Sequence, residues 1–308
     1  MRAAVFLGNG EHAVAERDID ELGPNQVLLE LEGCGICASN IPAWQGRPWF
    51  RYPLTAGAPG HEPWGRVREL GEAVRGLMIG QRVTGLSYRA YAECDVANAD
   101  ELVVIPQELD GMPFPGEAFA CAMNVVDRAG IEADQDVAVV GAGFIGSVVI
   151  QIATAAGARV AAYSARPWSL EQARAQGAVA ARPIQEAAAD AGRYARVVEC
   201  TGVQQGLDAA ADLVATGGRL VVAGYHQEGL RTVNMQQWNW KGIDVVNAHE
   251  RAPARYVGGI RNALDAIRER RLDPWPLLSH RFGLHDIDRA FRLLAERPDG
   301  FTKAVLAP

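Results

Sequence analysis

The sequence predicts an α/β domain built on a parallel sheet and inserted into a split, β-rich domain, and three observations carry that expectation. Between Asp136 and Arg166 a Val- and Ala-rich run meets a glycine turn, a long apolar segment and a second β-rich run, the pattern of strand, helix and strand. Short runs that mix apolar and polar residues, cut by Gly, Pro and Asn, fill the first third of the chain. The same short-strand character returns after about Asp273. At 308 residues the chain exceeds one typical core, so two domains are expected: 1–118 with 266–308, and 119–265 between them.

In order along the chain, strands are expected at Arg2–Phe6, Gln26–Leu31, Trp64–Leu70, Arg82–Gly85 and Ala90–Val96. Three prolines between Pro106 and Pro115 punctuate the passage to a helix over Glu117–Ala129. Leu170–Gln176, Val197–Cys200, Val203–Val214, Leu220–Gly224 and Ile243–Ala248 then continue an alternation of helix and strand. Gly217-Gly218 stands directly before a strand in this reading, and one helix, Asp286–Glu296, sits among the short strands of the tail. No internal repeat and no low-complexity segment interrupts the pattern.

Composition excludes several classes. Hydrophobic residues at 49% and charged ones at 22% are ordinary for a globular protein. A net charge of −7 with no basic tract argues against a nucleic-acid surface. No apolar run approaches the ~20 residues of a membrane span, and the start lacks the charged and apolar regions of a signal peptide. Five scattered cysteines suit a reducing cytoplasm better than a disulfide framework.

The glycine turn is Gly141-Ala142-Gly143-Phe144-Ile145-Gly146. A G-x-G-x-x-G between a strand and a helix, with a second strand following, is the context in which the spacing points to dinucleotide binding. Gly141 makes the tight turn, Gly143 admits a pyrophosphate close to the backbone, and Gly146 lets the helix pack close. The phosphates would sit on the helix N-terminus, where free N–H groups and the dipole favour anions. The second strand ends in Tyr163-Ser164-Ala165-Arg166. Ser164 holds the place where NAD-specific folds carry an acidic residue, which removes repulsion against a 2′-phosphate, and Arg166 offers a bidentate partner for one. NADP(H) is therefore expected over NAD(H).

Upstream lie Gly35-Ile36-Cys37-Ala38-Ser39-Asn40 and Gly60-His61-Glu62-Pro63-Trp64-Gly65-Arg66-Val67. A thiolate and an imidazole suit Zn²⁺, and Glu62, Glu117 and Cys121 are available to complete a site. With these residues, and with GLMIGQRV, Val197–Gly202 (VVECTG), Gly217–Gly224 (GGRLVVAG) and DGFTKAVL near the end, the chain resembles the medium-chain dehydrogenase/reductase superfamily over essentially its whole length. The similarity is to the zinc-dependent alcohol and polyol dehydrogenase branch, with its threonine- and sorbitol-dehydrogenase-like members.

The resemblance implies a GroES-like β domain carrying a catalytic zinc and a Rossmann domain carrying NAD(P), with the cleft between them. It places zinc on Cys37 and His61, with Glu117 as third ligand and Cys121 as the alternative. Glu62 matches a glutamate close to the metal that ligates it in some members and states. Ser39 would pass on the substrate's proton. Phe144, Ile145, Cys200 and Thr201 join the glycines as cofactor contacts.

Some features depart from the family pattern. The four-cysteine lobe for a second, structural zinc is absent, so one zinc per chain is expected. Asn40 replaces a common aspartate, which puts the orientation of His61 in question. Pro42 stands where many members end the proton relay with a histidine.

Cys34-x-x-Cys37 also reads as a redox pair. Trp44, Trp49, Phe50 and Trp64 either wall an aromatic pocket or fill the core. His12, His226, His249, His280 and His285 read as ordinary structural residues, and Cys94 and Cys200 as small buried ones. The function expected is hydride transfer between NADP(H) and a small alcohol or carbonyl compound by a cytoplasmic homodimer or homotetramer. A zinc-free reductase of an activated double bond and a non-catalytic nucleotide binder are the alternatives.

Overall fold

The computed structural model describes residues 1–227 and 229–308. In chain order it forms β1 (Arg2–Gly8), β2 (Glu11–Glu16), β3 (Gln26–Gly35), the short α1 (Ile41–Trp44), β4 (Pro63–Leu70), β5 (Arg82–Gly85), β6 (Cys94–Asn98), β7 (Leu102–Val104) and α2 (Gly116–Ala129). There follow β8 (Asp136–Val140), α3 (Phe144–Ala155), β9 (Arg159–Ser164), α4 (Pro167–Ala175), β10 (Ala180–Pro183), β11 (Tyr194–Glu199), α5 (Gln204–Leu213), β12 (Val214–Val222), α6 (Met235–Lys241) and β13 (Asp244–Asn247). The chain ends with α7 (Pro253–Arg268), β14 (His280–Phe282), α8 (Ile287–Glu296) and β15 (Ala304–Leu306).

Two compact units result. The first comprises Met1–Ala120, Ala252–Leu264 and Trp275–Pro308; the second comprises Cys121–Arg251 and Asp265–Pro274. The boundary thus falls inside α2 and inside α7.

In the first unit an antiparallel-rich sheet runs in the order β14-β15-β3-β4-β5-β7, with β6 also paired to β3 and β1 paired to β2. The last strand of the chain lies against β3, with Val305 opposite Gly35 and Leu306 opposite Cys34. This register returns the C-terminal segment to the residues around Cys37. The core here joins Phe6, Leu29, Val67, Val83, Tyr91, Phe291 and Phe301. Helix α8 buries Ile287, Ala290, Phe291 and Leu294. That i, i+3, i+4, i+7 stripe made it legible in the sequence.

The second unit is a six-stranded parallel sheet in the order β10-β9-β8-β11-β12-β13. Both faces are covered. Val137 and Val139 of β8 belong to one apolar cluster, and Ala138 and Val140 to another on the opposite face. Each fully buried Val contributes on the order of 1.5–3 kcal/mol. A strand buried on both sides shows a continuous apolar run instead of alternation, as β8 does.

Three local details differ from expectation. Gly217-Gly218 lies within β12, not before it: the ladder pairs Tyr194 with Val214 and then Arg196 with Arg219, so the glycines occupy a register shift. The strand expected over Ala90–Val96 forms over Cys94–Asn98, with Ala92 reaching only an isolated bridge to Ala3. Helix α7 has no counterpart in the sequence reading, because Gly258-Gly259 interrupts its apolar pattern.

Candidate metal centre and nucleotide-binding turn

Cys37 follows β3, and His61-Glu62 precede β4. Because β3 and β4 are neighbours with Cys34 opposite Pro63, the two segments emerge side by side. The ligand atoms of Cys37, His61 and Glu62 lie within 4.8 Å of one another. Gly35 is required for this arrangement, since a Cβ there would collide with the Glu62 carboxylate.

Thr84 sets the start of the helix that carries Glu117. Its buried hydroxyl donates to Pro63 O at 2.8 Å and accepts from Gly116 N–H at 3.0 Å. The residue after Glu62 and the residue before Glu117 are thereby held by one side chain. Glu117 is buried in the first turn of α2, and its charge acts on His61 and on Lys303. Cys121 follows one turn later on α2, half-buried.

His61 donates from Nδ1 to the carbonyl of Pro59 at 2.9 Å, which leaves Nε2 as the ligating nitrogen. The same carbonyl accepts from Asn40 Nδ2 at 3.0 Å, and Asn40 also donates to Tyr91 Oη at 2.9 Å. Here, then, a backbone carbonyl orients the imidazole, and Asn40 buttresses that carbonyl. Burial works against the charged ring. The hydrogen bond to Cys37 and the charges of Cys37, Glu117 and Glu62 outweigh it, and push His61 up to about 10 in the metal-free chain.

Sequence reasoning missed Lys303, the most consequential partner in the cluster. Its Nζ lies 2.9 Å from Glu62 Oε1 and 2.8 Å from Oε2, and donates to Ile36 O at 3.2 Å. Both side chains are buried. Burial alone would lower the lysine, but Glu62, Cys37 and Glu117 raise it. The motif FTKAVL was visible; that β15 would deliver its lysine to Glu62 was not.

The donor set fits a divalent cation. With His61 neutral, as a ligating imidazole must be, the Cys37 thiolate and the Glu62 and Glu117 carboxylates against the one Lys303 ammonium leave two negative charges uncompensated. Glu62 Oε2 is buried and lies 2.8 Å from the Lys303 ammonium without an aligned hydrogen bond, so it keeps acceptor capacity that a cation would use. Cys34, by contrast, donates its thiol to Gly35 O, and burial first, then Glu62, raises its pKa well above the ordinary value. A thiol held protonated in this way is a poor nucleophile and a poor metal ligand.

Of the aromatic group, Trp64 is core, packed across Gly33. Trp44 stacks on Phe291 with centroids 5.9 Å apart and donates to Asp288 at 2.9 Å. Trp49 is 58% exposed.

The glycine turn lies between β8 and α3, where the order of the parallel sheet reverses between β8 and β11. Gly141 has φ +96°, and a Cβ there would sit 2.7 Å from Thr201. A Cβ at Gly146 would collide with the Gly141 carbonyl, whereas one at Gly143 would meet nothing within 4 Å. Gly143 is the N-cap of α3 and supplies no side-chain cap, and a helix start of this kind favours an anion. Cys200 and Thr201 follow β11 on the other side of the reversal. Ser164 ends β9, and its Oγ accepts from Arg166 N–H at 3.3 Å. Both residues stand at the strand end where a nucleotide ribose is read in folds of this order.

Comparisons with known proteins agree with this picture. The alcohol dehydrogenase GroES-like domain family matches residues 23–134, and the zinc-binding dehydrogenase family matches 145–265. L-galactonate-5-dehydrogenase of Escherichia coli is 29% identical over 252 residues, 68% of this chain and 72% of that one. Sorbitol dehydrogenase of Halalkalibacterium halodurans is 25% identical over 93% of both chains. The structure of a zinc-binding dehydrogenase from Sinorhizobium meliloti 1021 bound to NADP superposes with TM-score 0.84 at 25% identity, covering 100% of this chain and 99% of that one. With a GroES-like segment followed by a zinc-binding dehydrogenase segment, and a parallel sheet in the Rossmann order, the chain belongs to the medium-chain dehydrogenase/reductase superfamily, in its zinc-dependent alcohol and polyol dehydrogenase branch.

Proposed function

We propose that the chain is a zinc-dependent dehydrogenase that moves a hydride between NADP(H) and a small alcohol or its carbonyl counterpart. Membership of the family makes it an oxidoreductase acting on alcohols; the metal, the nucleotide preference and the residue roles are our reading. The observation that carries it is the Cys37, His61 and Glu62 cluster, whose ligand atoms lie within 4.8 Å of one another beside a buried lysine. When bound, zinc supplies Lewis-acid polarisation of the substrate oxygen, and the nicotinamide supplies or accepts the hydride.

The chain's own residues do the rest. Cys37, His61 and Glu117 would hold one zinc, with Cys121 the alternative third ligand. The Pro59 carbonyl fixes the His61 ring. Lys303 holds Glu62 by both oxygens, so Glu62 would reach the ion only when that pair loosens. Ser39 Oγ donates to Cys37 Sγ at 3.1 Å and lies 3.3 Å from Asn40 Oδ1. Its hydroxyl can hold the substrate's proton. Asn40 cannot carry that proton onward, because both amide hydrogens are committed to Pro59 and Tyr91.

Gly141, Gly143 and Gly146, with Phe144, Ile145, Cys200 and Thr201, would take the nucleotide, and Ser164 and Arg166 its 2′-phosphate. The same reading assigns 1–118 and 266–308 to the catalytic domain and 119–265 to the nucleotide domain. It takes the enzyme as a cytoplasmic homodimer or homotetramer, on the strength of the family resemblance. Among the described residues no helix is long and apolar enough to cross a membrane.

The test is metal analysis alongside turnover on a panel of sugar alcohols and sugar acids. One zinc per chain is expected, with zinc and turnover lost together in Cys37→Ala and His61→Ala while NADPH still binds. Full activity in Cys37→Ala, or two tightly held zincs per chain, overturns the reading.

A further inference from the structure

Glu199, at the C-terminal end of β11, is a carboxylate with 0% exposure and no part in the chemistry described so far. Its Oε1 accepts from Thr201 N–H at 2.6 Å, from Gly202 N–H at 2.9 Å and from the Thr201 hydroxyl. Its Oε2 faces His226 Nε2 at 3.1 Å. The other ring nitrogen, Nδ1, accepts from Arg231 Nε at 2.9 Å, and Arg231 reaches back to Gly202 O at 3.3 Å.

The tautomer of His226 follows from its partners. An arginine nitrogen can only donate, so Nδ1 is the acceptor and Nε2 carries the hydrogen toward the carboxylate. The ring is a spacer that passes the attraction of a guanidinium to a buried anion through two directed bonds. Room for it is specific: a Cβ on Gly224 would come 2.6 Å from Glu199 Oε2.

The network is placed where it matters for a nucleotide. It closes the turn Thr201-Gly202, and Thr201 faces Gly141 across the reversal of strand order. It also ties that turn to the segment after β12, which carries His226 and Arg231. We propose that His226 is a positioning residue for the nicotinamide nucleotide, linking Glu199 to Arg231 so that the Thr201-Gly202 turn keeps the spacing from the glycine turn that the cofactor needs. This rests on the reading that the Gly141–Gly146 turn binds NADP(H).

The two nitrogens of the ring can be imitated by a primary amide, whose NH₂ can donate to Glu199 while its oxygen accepts from Arg231. Leucine fills similar space and makes neither bond. NADPH binding to the zinc-loaded, full-length protein would be measured by fluorescence titration. His226→Leu should raise the dissociation constant at least tenfold, whereas His226→Gln should stay within threefold of the wild type. If His226→Leu does not fold, Arg231→Met, altering a half-buried side chain, carries the test and should raise the constant at least fivefold.

Binding by His226→Leu within twofold of the wild type overturns the inference. So does a His226→Gln protein as weak as His226→Leu, since ring packing alone would then explain the effect. A wild type that binds neither NADPH nor NADH overturns instead the nucleotide reading beneath it.

Discussion

Replacing Lys303 by methionine isolates the pair that the C-terminal strand brings to the metal cluster. Methionine keeps much of the aliphatic stem, so the volume change is small and the loss is chiefly that of the ammonium. The ammonium lies 2.8–2.9 Å from both oxygens of a carboxylate that is 1% exposed. Removing one partner of such a pair leaves a buried charge unmatched, at a cost of about 3–5 kcal/mol.

Because burial is outweighed by Glu62 and Cys37 and the lysine is raised above 10.5, its contribution is complete below that value and lost only as pH climbs through the raised one. Measurement at pH 7 therefore reads it in full. The assay is denaturant unfolding of metal-free protein, followed by tryptophan fluorescence, to which the buried Trp64 of the first unit contributes. Lys303→Met should lose about 3–5 kcal/mol, and zinc should restore part of that by supplying the missing positive charge. The double variant with Glu62→Gln should fall short of the summed single losses by at least about 2 kcal/mol. A Lys303→Met loss under about 1 kcal/mol, or additivity within about 0.5 kcal/mol, refutes the argument.

Three other outcomes follow from the same geometry. With His61 pushed up to about 10, metal-free protein at pH 8 holds a proton on the ring that zinc must displace. Calorimetric titrations in two buffers of different ionisation enthalpy should report at least one proton released per zinc, and none would contradict the cluster's electrostatics. Asp190, held below its usual range by the Tyr163 hydroxyl and then, against burial, by Arg193 and Arg182, contributes stability above the ordinary carboxylate value. That contribution fades as pH falls through the lowered one, so Asp190→Asn should flatten the acid limb of a stability–pH curve below about pH 4; an unchanged limb would count against it. Arg166→Ala should weaken NADPH binding by about 1.5–3 kcal/mol and leave NADH nearly unaffected. Tighter wild-type binding of NADH than of NADPH in calorimetry would remove the basis for that preference.

Short-range pattern was enough for much of this protein. The β8–turn–α3 unit is legible because strand burial, glycine spacing and helix start lie within a few residues of one another. Helix α8 is legible because its apolar stripe repeats at the helical period. Cys37 and the His61-Glu62 pair stand out by residue type and spacing, and the register of β3 and β4 explains why they meet.

Helix α7 was hidden because Gly258-Gly259 reads as a break. Only packing shows the reason: a Cβ on Gly259 would come 2.8 Å from Ala120 of α2. The Pro59 carbonyl that orients His61, the Glu199–His226–Arg231 chain and the Lys303–Glu62 pair leave no local trace either. Backbone conformation responds to neighbours a few residues away, so sequence alone determined most of the elements, α7 excepted, and singled out Cys37 and His61-Glu62. A buried charge is satisfied by whatever group the strand order delivers, so tertiary structure alone decided that a lysine 241 positions away would hold Glu62.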